Sequence, residues 1–414
     1  MDELNTIKMP KWPLIILLFT SVDTLLFGTN SDIRFLFVPR ILGVIFILLL
    51  PLLYSKSIKK IYINTHDIIY IIVMVLIILV SGIINTESIE TLLSRLIVII
   101  LAYVITHTYS QKQYAEIFDL FIFVVSIFAI ISEILTYILP GIILRLPVVT
   151  NTVNHSFYTL GIIEMESTEV NNIFVRSNGI FWEPGAFAIY LIFALILQLF
   201  VLEKSNVKRI IVYIFCIIIT FSTTGYLSLG VLFFAFIVSK KSNYLSKKIK
   251  ILFGLFAIAL IVFCIFFDMS LLYDSVFKKL TSGTSGATTR YSSFYNGMRV
   301  AFDHPLFGVS SNTSFYMREY VFSTDSIFRN GGTSITNTIV GQFASYGLLF
   351  GSLFVFGTFK FLYNCTYSKL EWALLSLTVF MAYFGEKFFS FFPFVFVFYG
   401  LLNNKAGTYE DCGN

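Results

Sequence analysis

Long apolar stretches follow one another along almost the whole chain, with short polar segments between them. A helix of roughly 18 or more apolar residues can cross a hydrocarbon core of about 30 Å. The pattern predicts about twelve such helices, at roughly 12–29, 36–54, 67–84, 91–108, 117–139, 184–202, 209–222, 224–239, 250–267, 334–359, 370–386 and 388–402. We therefore expect an all-α polytopic membrane protein whose residues 1–414 form a single integral membrane domain.

The composition supports a chain that is solvated by lipid. Hydrophobic residues make up 57% of the chain and charged residues only 13%, and the mean hydropathy is +0.83, which excludes a water-soluble domain of this size. The net charge of +5 resides mostly in short loops, where membrane topology explains it, so no nucleic-acid partner is predicted. The four cysteines have no metal-ligand spacing, and no metal site is predicted.

The basic residues of the loops indicate the orientation. With both termini in the cytoplasm, the inner face carries sixteen lysines and one arginine, and the outer face carries seven arginines and three lysines. Lysine suffices as a point charge for topology, whereas bidentate binding of phosphate or carboxylate requires arginine. The arginines therefore predict an anionic or sugar-phosphate ligand on the outer face.

Two long loops, at about 140–183 and 268–333, also fall on the outer face. Loops of this length in a compact protein are usually functional or disordered. Aromatic residues, prolines and glycines among their charges indicate ordered, functional loops. The inner loops are short and contain no Walker-type glycine loop, so nothing indicates a nucleotide-driven motor.

The first candidate site precedes the predicted span at 184–202. Pro184 suits the first turn of a helix, whose positive end would lie at the outer membrane boundary. Arg176 and this helix start could hold a lipid pyrophosphate together, with Gly179, Trp182 and Glu183 beside them. In the alternative interpretation Glu183 only caps the helix, Trp182 belongs to an interfacial aromatic belt and Arg176 binds lipid headgroups.

The second candidate site lies in the loop at 268–333. Arg290 is followed by His304-Pro305 and Gly308, and the intervening apolar residues Phe294, Met298, Ala301 and Phe302 recur at helical intervals. This spacing predicts a short amphipathic helix that holds Arg290, and with it Arg299, near the membrane surface. A histidine beside a proline is more often structural than catalytic.

Further candidates lie at the start of one span and inside several others. Asn337, in Ser334-Ile335-Thr336-Asn337-Thr338, can cap a helix or bind a sugar hydroxyl, and capping is the favoured role. Ionisable groups inside a membrane are costly unless they are paired or face a cavity. Those in the predicted spans are Asp23, Arg40, Arg95, Glu133 and Glu386, and the sequence assigns none of them a partner.

These residues resemble a known family, the O-antigen polymerase and ligase superfamily of bacterial surface-polysaccharide assembly. The resemblance covers about residues 170–360. It rests on Arg176-x-x-Gly179 with Glu183-Pro184, on Arg290 before His304-Pro305-x-x-Gly308, and on Asn337 with Gly347. It implies a GT-C-like glycosyltransferase fold that acts, without a metal ion or other cofactor, on undecaprenyl-pyrophosphate-linked glycan at the outer face of the bacterial plasma membrane. It also implies that Arg176 and Arg290 hold the pyrophosphate as it departs.

Polymerisation of lipid-linked repeat units is the favoured activity. Ligases of the superfamily carry a histidine directly before the asparagine, and here that position is Thr336. Glu183 is the candidate for the group that orients or deprotonates the attacking hydroxyl, with His304 as the alternative. The alternatives are a ligase, a flippase or transporter, and a purely structural membrane scaffold, although no internal repeat supports transport. A chain-length regulator and a flippase are implied as partners by the resemblance only, and the sequence does not identify the sugar, linkage or oligomeric state.

Overall fold

The computed structural model describes residues 9–28, 37–53, 65–150, 156–166, 176–239, 251, 285–322 and 332–402, without the side chains of 28, 37–40, 51–53, 65–67, 166 and 285–288. The helices are α1 (Trp12–Phe19), α2 (Leu25–Gly28), α3 (Phe37–Leu53), α4 (Thr65–Ile84), α5 (Ile89–Thr108), α6 (Gln111–Ile138), α7 (Pro140–Ile143), α8 (Pro184–Ile196), α9 (Val207–Ile219), α10 (Thr223–Val238), α11 (Ser285–Asp303), α12 (Thr313–Phe322), α13 (Thr338–Asn364), α14 (Lys369–Phe384) and α15 (Phe391–Leu401). The strands are β1 (Val148–Thr150), β2 (Ser156–Thr159) and β3 (Glu164–Glu166).

The helices confirm the predicted class of an all-α membrane protein. Among the described residues, four helical segments are long and apolar enough to cross a membrane: α5, α6, α8 with its π-helical continuation to Val201, and α13. Shorter apolar helices lie at Ile41–Leu50, Ile68–Ile84, Thr223–Val238 and Phe391–Leu401. Most predicted spans coincide with one described helix, and the count of twelve stays a prediction. The predicted span at 250–267 and both chain termini lie outside the described residues.

The centre of the bundle is built from α8 and α15. Every residue of both helices is buried, as expected of helices that are apolar on all sides. Tyr190 of α8 stacks on Phe392 of α15 and on Phe118 of α6, with ring centroids 4.1 and 5.9 Å away. The main apolar cluster extends from Met9 to Leu402, so the first and last described helices share one core.

The first predicted span, 12–29, is wrong as a continuous helix. Helix α1 ends at Phe19, and hydroxyl groups bind the backbone there: Thr20 Oγ1 donates to Ile16 O at 2.9 Å and Thr24 Oγ1 to Phe19 O at 3.1 Å. Thr24 then forms an isolated antiparallel bridge with Phe181. The chain breaks because its hydroxyl-bearing residues offer the backbone an alternative to the helix.

The long loops contain secondary structure of their own. The loop at 140–183 holds α7 and an antiparallel sheet of order β1-β2-β3, in which Val149 pairs with Phe157, and Phe157 with Glu166. This sheet was not predicted. The loop at 268–333 holds α11 and α12, so the described parts of both loops are ordered.

Polar contacts between helices gather at the two ends of the bundle. At one end Lys112 pairs with Glu203 at 2.9 Å, and Ser239 donates to Glu371 at 2.9 Å. The opposite end carries the starts of α8, α10 and α13, and we call it the outer end, in keeping with the predicted orientation. The candidate residues of the sequence lie there.

Candidate functional site

The candidate site is built on the start of α8. Pro184 occupies the first helical turn, as predicted, and the backbone of Glu183 is extended, with φ −150° and ψ 151°. The Glu183 carbonyl accepts a hydrogen bond from Phe187 N at 3.2 Å, but its side chain makes no capping hydrogen bond. The interpretation of Glu183 as a helix cap is therefore wrong, and its carboxyl group is available for another role.

The segment before α8 places Arg176 at the outer end. Ser177 N donates to Ile219 O at 3.0 Å, which fixes the segment to the end of α9. Gly179 has φ 59°, a conformation that favours glycine, and a Cβ there would lie 3.2 Å from the ring of Phe187. Arg176 is half-buried, and its Nε has no hydrogen-bond partner among the described residues.

Trp182 and Asn178 support this segment from within. Trp182 is partly buried, and its side chain packs against the main apolar cluster of the protein. Asn178 Nδ2 donates to Phe181 O at 2.8 Å and to Glu164 Oε1, on β3, at 3.2 Å. The unpredicted sheet thus supports the turn that follows Arg176.

A further acidic residue, Glu386, reaches the site from the connection between α14 and α15. Thr338 Oγ1 donates to Glu386 O at 2.5 Å and accepts a hydrogen bond from Phe388 N at 3.1 Å, so the start of α13 holds this connection in place. The Glu386 side chain is buried against the first turn of α8, where a Cβ on Gly185 would overlap its carboxyl group.

Glu386 and Glu183 form a carboxyl pair whose electrostatic surroundings include two arginines. Their carboxyl groups lie in hydrogen-bonding range, and Arg290 and Arg176 are near enough for their charges to act on Glu386. Burial, together with the Glu183 carboxyl group, raises the pKa of Glu386 well above its ordinary value, against the opposing effect of the two arginines. The sequence singled out Glu386 as costly, but the partner that explains it lies far away in the chain.

Helix α11 brings Arg290 to this pair, and Arg290 Nη1 donates to Thr223 Oγ1, at the start of α10, at 3.4 Å. The amphipathic helix is confirmed, but its predicted apolar face is partly wrong, since Phe302 is 63% exposed and Phe294 is also exposed. The buried face is made of small and polar residues, chiefly Ser292, Ser293, Asn296, Gly297, Val300 and Ala301. These residues allow α11 to pack closely on the start of α13.

The motif His304-Pro305-x-x-Gly308 supports a break in α13. Gly347 has φ 84° and ψ 179° inside that helix, and Leu348 N donates to Pro305 O at 2.7 Å. Val309 N donates to Ala344 O at 2.9 Å and thereby satisfies a carbonyl that the break exposes. The His304 ring lies against the ring of Tyr316 at 4.7 Å. None of the contacts described for His304 involves the carboxyl pair, and its catalytic role stays a prediction.

The remaining candidates take positions around the site. Asn337 caps α13, because its Oδ1 accepts a hydrogen bond from Val340 N at 3.0 Å, which confirms the favoured role. Its Nδ2 has no partner among the described residues. Arg299 lies over the ring of Tyr320 at 4.5 Å, so its described contact is with α12.

Two other spans contain ionisable groups that find partners inside the protein. Arg95 pairs with Glu87 at 3.1 Å and donates to Tyr346 Oη at 2.5 Å. Asp23 accepts hydrogen bonds from Tyr190 Oη at 2.6 Å and Ser390 Oγ at 2.5 Å. Neither group needs a ligand to offset its charge, and the side chain of Arg40 lies outside the described residues.

Arg176 and Arg290 differ from these paired groups. In the part of the chain that the structure describes, neither has a carboxylate oxygen within ion-pair distance, whereas Arg95 and Arg209 each pair with one. Guanidinium groups without an ion-pair partner near a helix start have the chemistry that a phosphate-type anion requires. Among the described residues, no group of three or more histidines, cysteines or carboxylates could hold a metal ion.

Comparison with known proteins gives a match to a family model. Residues 209–355 match the family model described as O-antigen ligase. The match confirms the resemblance to the O-antigen polymerase and ligase superfamily. This family covers glycosyltransferase-like membrane enzymes, both ligases and polymerases, that act on lipid-linked glycan. The matched segment includes Arg290, His304 and Asn337, while Arg176, Glu183 and Glu386 lie outside it. Neither the curated proteins nor the solved structures give a match.

Proposed function

We propose that this protein polymerises undecaprenyl-pyrophosphate-linked repeat units into a surface polysaccharide at the outer face of the bacterial plasma membrane. The observation that carries the proposal is the burial of Glu386 against the start of α8, beside Glu183. Arg290 is bound to Thr223 at the neighbouring start of α10, and the charges of Arg290 and Arg176 act on Glu386. Glycosyl transfer from a lipid pyrophosphate needs cations that stabilise the diphosphate leaving group. It also needs a group, here a carboxyl group, that accepts the proton of the attacking hydroxyl. The proposal also includes a GT-C-like fold, and a flippase and a chain-length regulator as partners.

The reaction follows from this arrangement. A hydroxyl oxygen at the non-reducing end of the acceptor attacks the anomeric carbon of the donor glycan, and the bond from that carbon to the pyrophosphate oxygen breaks. The hydroxyl proton passes to Glu183. The electron pair of the broken bond stays with the undecaprenyl pyrophosphate, whose growing charge Arg176 and Arg290 stabilise. Fixed guanidinium groups in a low-dielectric site serve this role without reorganisation.

An apolar groove beside Arg176 supports a lipid-linked substrate. It lies between α6 and α9 and has a volume of about 390 Å³. Its lining is formed by Ile130, Glu133, Ile134, Tyr137, Ile138, Phe215, Ile219 and Phe221. Ile219 also accepts the hydrogen bond from Ser177 N, so one lining residue of the groove is bound to the residue that follows Arg176. A polyprenyl chain in this groove would present its pyrophosphate to the arginines.

The position before the capping asparagine supports polymerase over ligase. Thr336 stands where ligases of the superfamily carry a histidine. Its backbone N–H donates to Ser293 Oγ at 2.7 Å, and its own hydroxyl has no partner among the described residues. The match to an O-antigen ligase family favours the second candidate, an O-antigen ligase.

Deletion of the gene separates the two candidates. A polymerase is expected to leave single repeat units on their acceptor and no ladder of longer polysaccharide on a gel. If full-length glycan accumulates on undecaprenyl pyrophosphate instead, the protein is the ligase. An unchanged ladder would reject both activities.

Arginine-to-lysine variants test how the pyrophosphate is held. We expect Arg176→Lys and Arg290→Lys each to lower polymer formation in the deletion strain by at least about tenfold, because lysine cannot offer a planar pair of donors. Arg318→Lys, at an exposed position on α12, is the matched control and should restore the ladder. Near-normal ladders from both site variants, at equal membrane abundance, would contradict the role.

A further inference from the structure

We infer that Glu386 is a positioning residue that stays protonated during the reaction and directs the carboxylate of Glu183 by donating a hydrogen bond to it. This inference rests on the proposed function and deepens it, because the sequence pattern had assigned no role to Glu386. It gives the two carboxyl groups of the pair different tasks. Glu183 accepts the proton of the attacking sugar hydroxyl, and Glu386 holds the accepting group in place.

The first support is the way the fold confines Glu386. Its carbonyl is bound by Thr338 Oγ1 of α13, and the Gly385 before it lies so close to Thr224 that a Cβ would come within 2.8 Å of Oγ1. On a third side the carboxyl group occupies the space that a side chain on Gly185 would fill. Three helix starts, those of α8, α10 and α13, thus fix a buried carboxyl group beside Glu183.

The second support is the set of charges around the pair. The groups that act on Glu386 are Glu183, Arg290 and Arg176, and the charge of Arg176 also reaches Tyr226 of α10. Lys387 is not among these groups, and its Nζ lies 3.5 Å from Thr313 Oγ1 with its stem against Gly341. The described part of the site therefore offers two cations and two carboxyl groups.

One proton on the pair gives the site the charge that its ligand needs. If both carboxyl groups were ionised, they would cancel the two guanidinium charges and leave no net positive charge to attract the pyrophosphate. With Glu386 neutral, a net positive charge remains for the leaving group. Two carboxyl groups in contact do not ionise independently, and the more buried one keeps its proton more strongly. The raised pKa of Glu386 agrees with this assignment.

The proton movements balance under this arrangement. Glu386 donates its hydrogen to one oxygen of the Glu183 carboxylate, which leaves the other oxygen to accept from the acceptor hydroxyl. As the new glycosidic bond forms, that hydroxyl proton moves to Glu183, and the Glu386 proton stays where it is. Glu183 returns its proton to water once the polysaccharide and the undecaprenyl pyrophosphate have left.

The test compares substitutions at Glu386 that separate a hydrogen-bond donor from a negative charge. Gln keeps the length and a donor but cannot ionise, Asp keeps the carboxyl group but is shorter, and Ala has neither. We expect polymer formation in the order Glu386→Gln, then Glu386→Asp, then Glu386→Ala, with Gln at least about tenfold above Ala. Glu183→Gln should lose about 100-fold or more, as expected for loss of a general base.

The pH profile separates positioning from a merely structural role. Wild-type activity should fall at alkaline pH as Glu386 loses its proton, whereas a Gln at this position has none to lose. The ratio of Glu386→Gln activity to wild-type activity should therefore rise with pH. Burial, with the charge of Arg95, lowers the pKa of Lys387 to about 8, and this contribution cancels because both proteins contain Lys387. Membrane vesicles with a purified lipid-linked repeat unit provide the assay.

The outcomes keep the inference and the proposed function apart. Glu371→Gln, a buried glutamate at the opposite end of the bundle, is the matched control and should remain active. An order in which Asp exceeds Gln, or a ratio that is constant with pH, would overturn the role of Glu386 without touching the polymerase assignment. Full activity of the Arg176 and Arg290 lysine variants would instead reject the proposed site as a whole.

Discussion

The absence of a side chain at Gly185 determines how closely Glu386 approaches the start of α8. Gly185 lies in the first turn, next to Pro184, where helix propensity alone would favour alanine over glycine. A Cβ there would overlap Glu386 Oε1. The glycine is therefore explained by the approach of a carboxyl group to the positive end of a helix, where a polar group with a negative or partial negative charge is stabilised.

Gly185→Ala is expected to displace the Glu386 carboxyl group and to lower polymer formation by about tenfold or more, since positioning a reacting group by about 1 Å matters on that scale. Gly230→Ala in α10 is the control, because a Cβ at Gly230 meets no atom within 4 Å. Both variants should insert and melt like the wild type in detergent. Equal activity of the two variants would show that the contact with Gly185 is not needed.

At the residue scale the sequence predicted most residues of the proposed site but not the contact between Glu183 and Glu386. Arg176, Glu183 and Arg290 were predicted because each lies in a local pattern. These patterns are an arginine on the outer face, a residue before a helix proline, and an arginine beside apolar residues at helical spacing. Glu386 was recognised only as costly. Its role depends on Glu183, which lies on a distant element, and one sequence without an alignment contains no signal for such a contact.

At the element scale, helix positions were predictable and packing faces were not. Helix α11 was expected from its apolar periodicity, yet it buries Ser293 and Gly297 and exposes Phe302. Small residues let helix backbones approach closely in membrane proteins, and polar ones bind across the contact. Ser293 Oγ does so with Thr336 N. A hydrophobic pattern predicts which side chains are shielded from water. Helix α11 instead packs on α13 through small residues.

The groove between α6 and α9 gives an element-scale prediction. Ile134 and Ile131 are both exposed on α6, at 50% and 37%, but only Ile134 lines the groove. We expect Ile134→Trp to fill the groove and raise the KM for the lipid-linked substrate several-fold with little change in kcat, because uniform binding is lost. Ile131→Trp should leave both constants near wild type. Identical KM values for the two variants would show that the lipid-linked substrate does not bind in the groove.

At the scale of the whole molecule, the two ends of the bundle use charge differently. The inner arginine Arg209 pairs with the buried Asp119, and Lys112 pairs with Glu203, so these cations are satisfied by the protein. The outer arginines at the start of α8 have no ion-pair partner among the described residues. Under the proposed function, the charge bias seen in the sequence serves topology at one end and ligand binding at the other.

The orientation that underlies this view can be measured by cysteine labelling. Ser314, on α12, and Lys204, between α8 and α9, are exposed at opposite ends of the bundle. In a chain whose four natural cysteines are replaced, a membrane-impermeant maleimide added to intact cells should label Ser314→Cys, and Lys204→Cys only after the membrane is opened. Replacement of the natural cysteines is needed because Cys216 and Cys365 are buried but could react once the protein opens. The reverse pattern would place Arg176, Glu183 and Glu386 in the cytoplasm, where an outer-face polymerase could not use them.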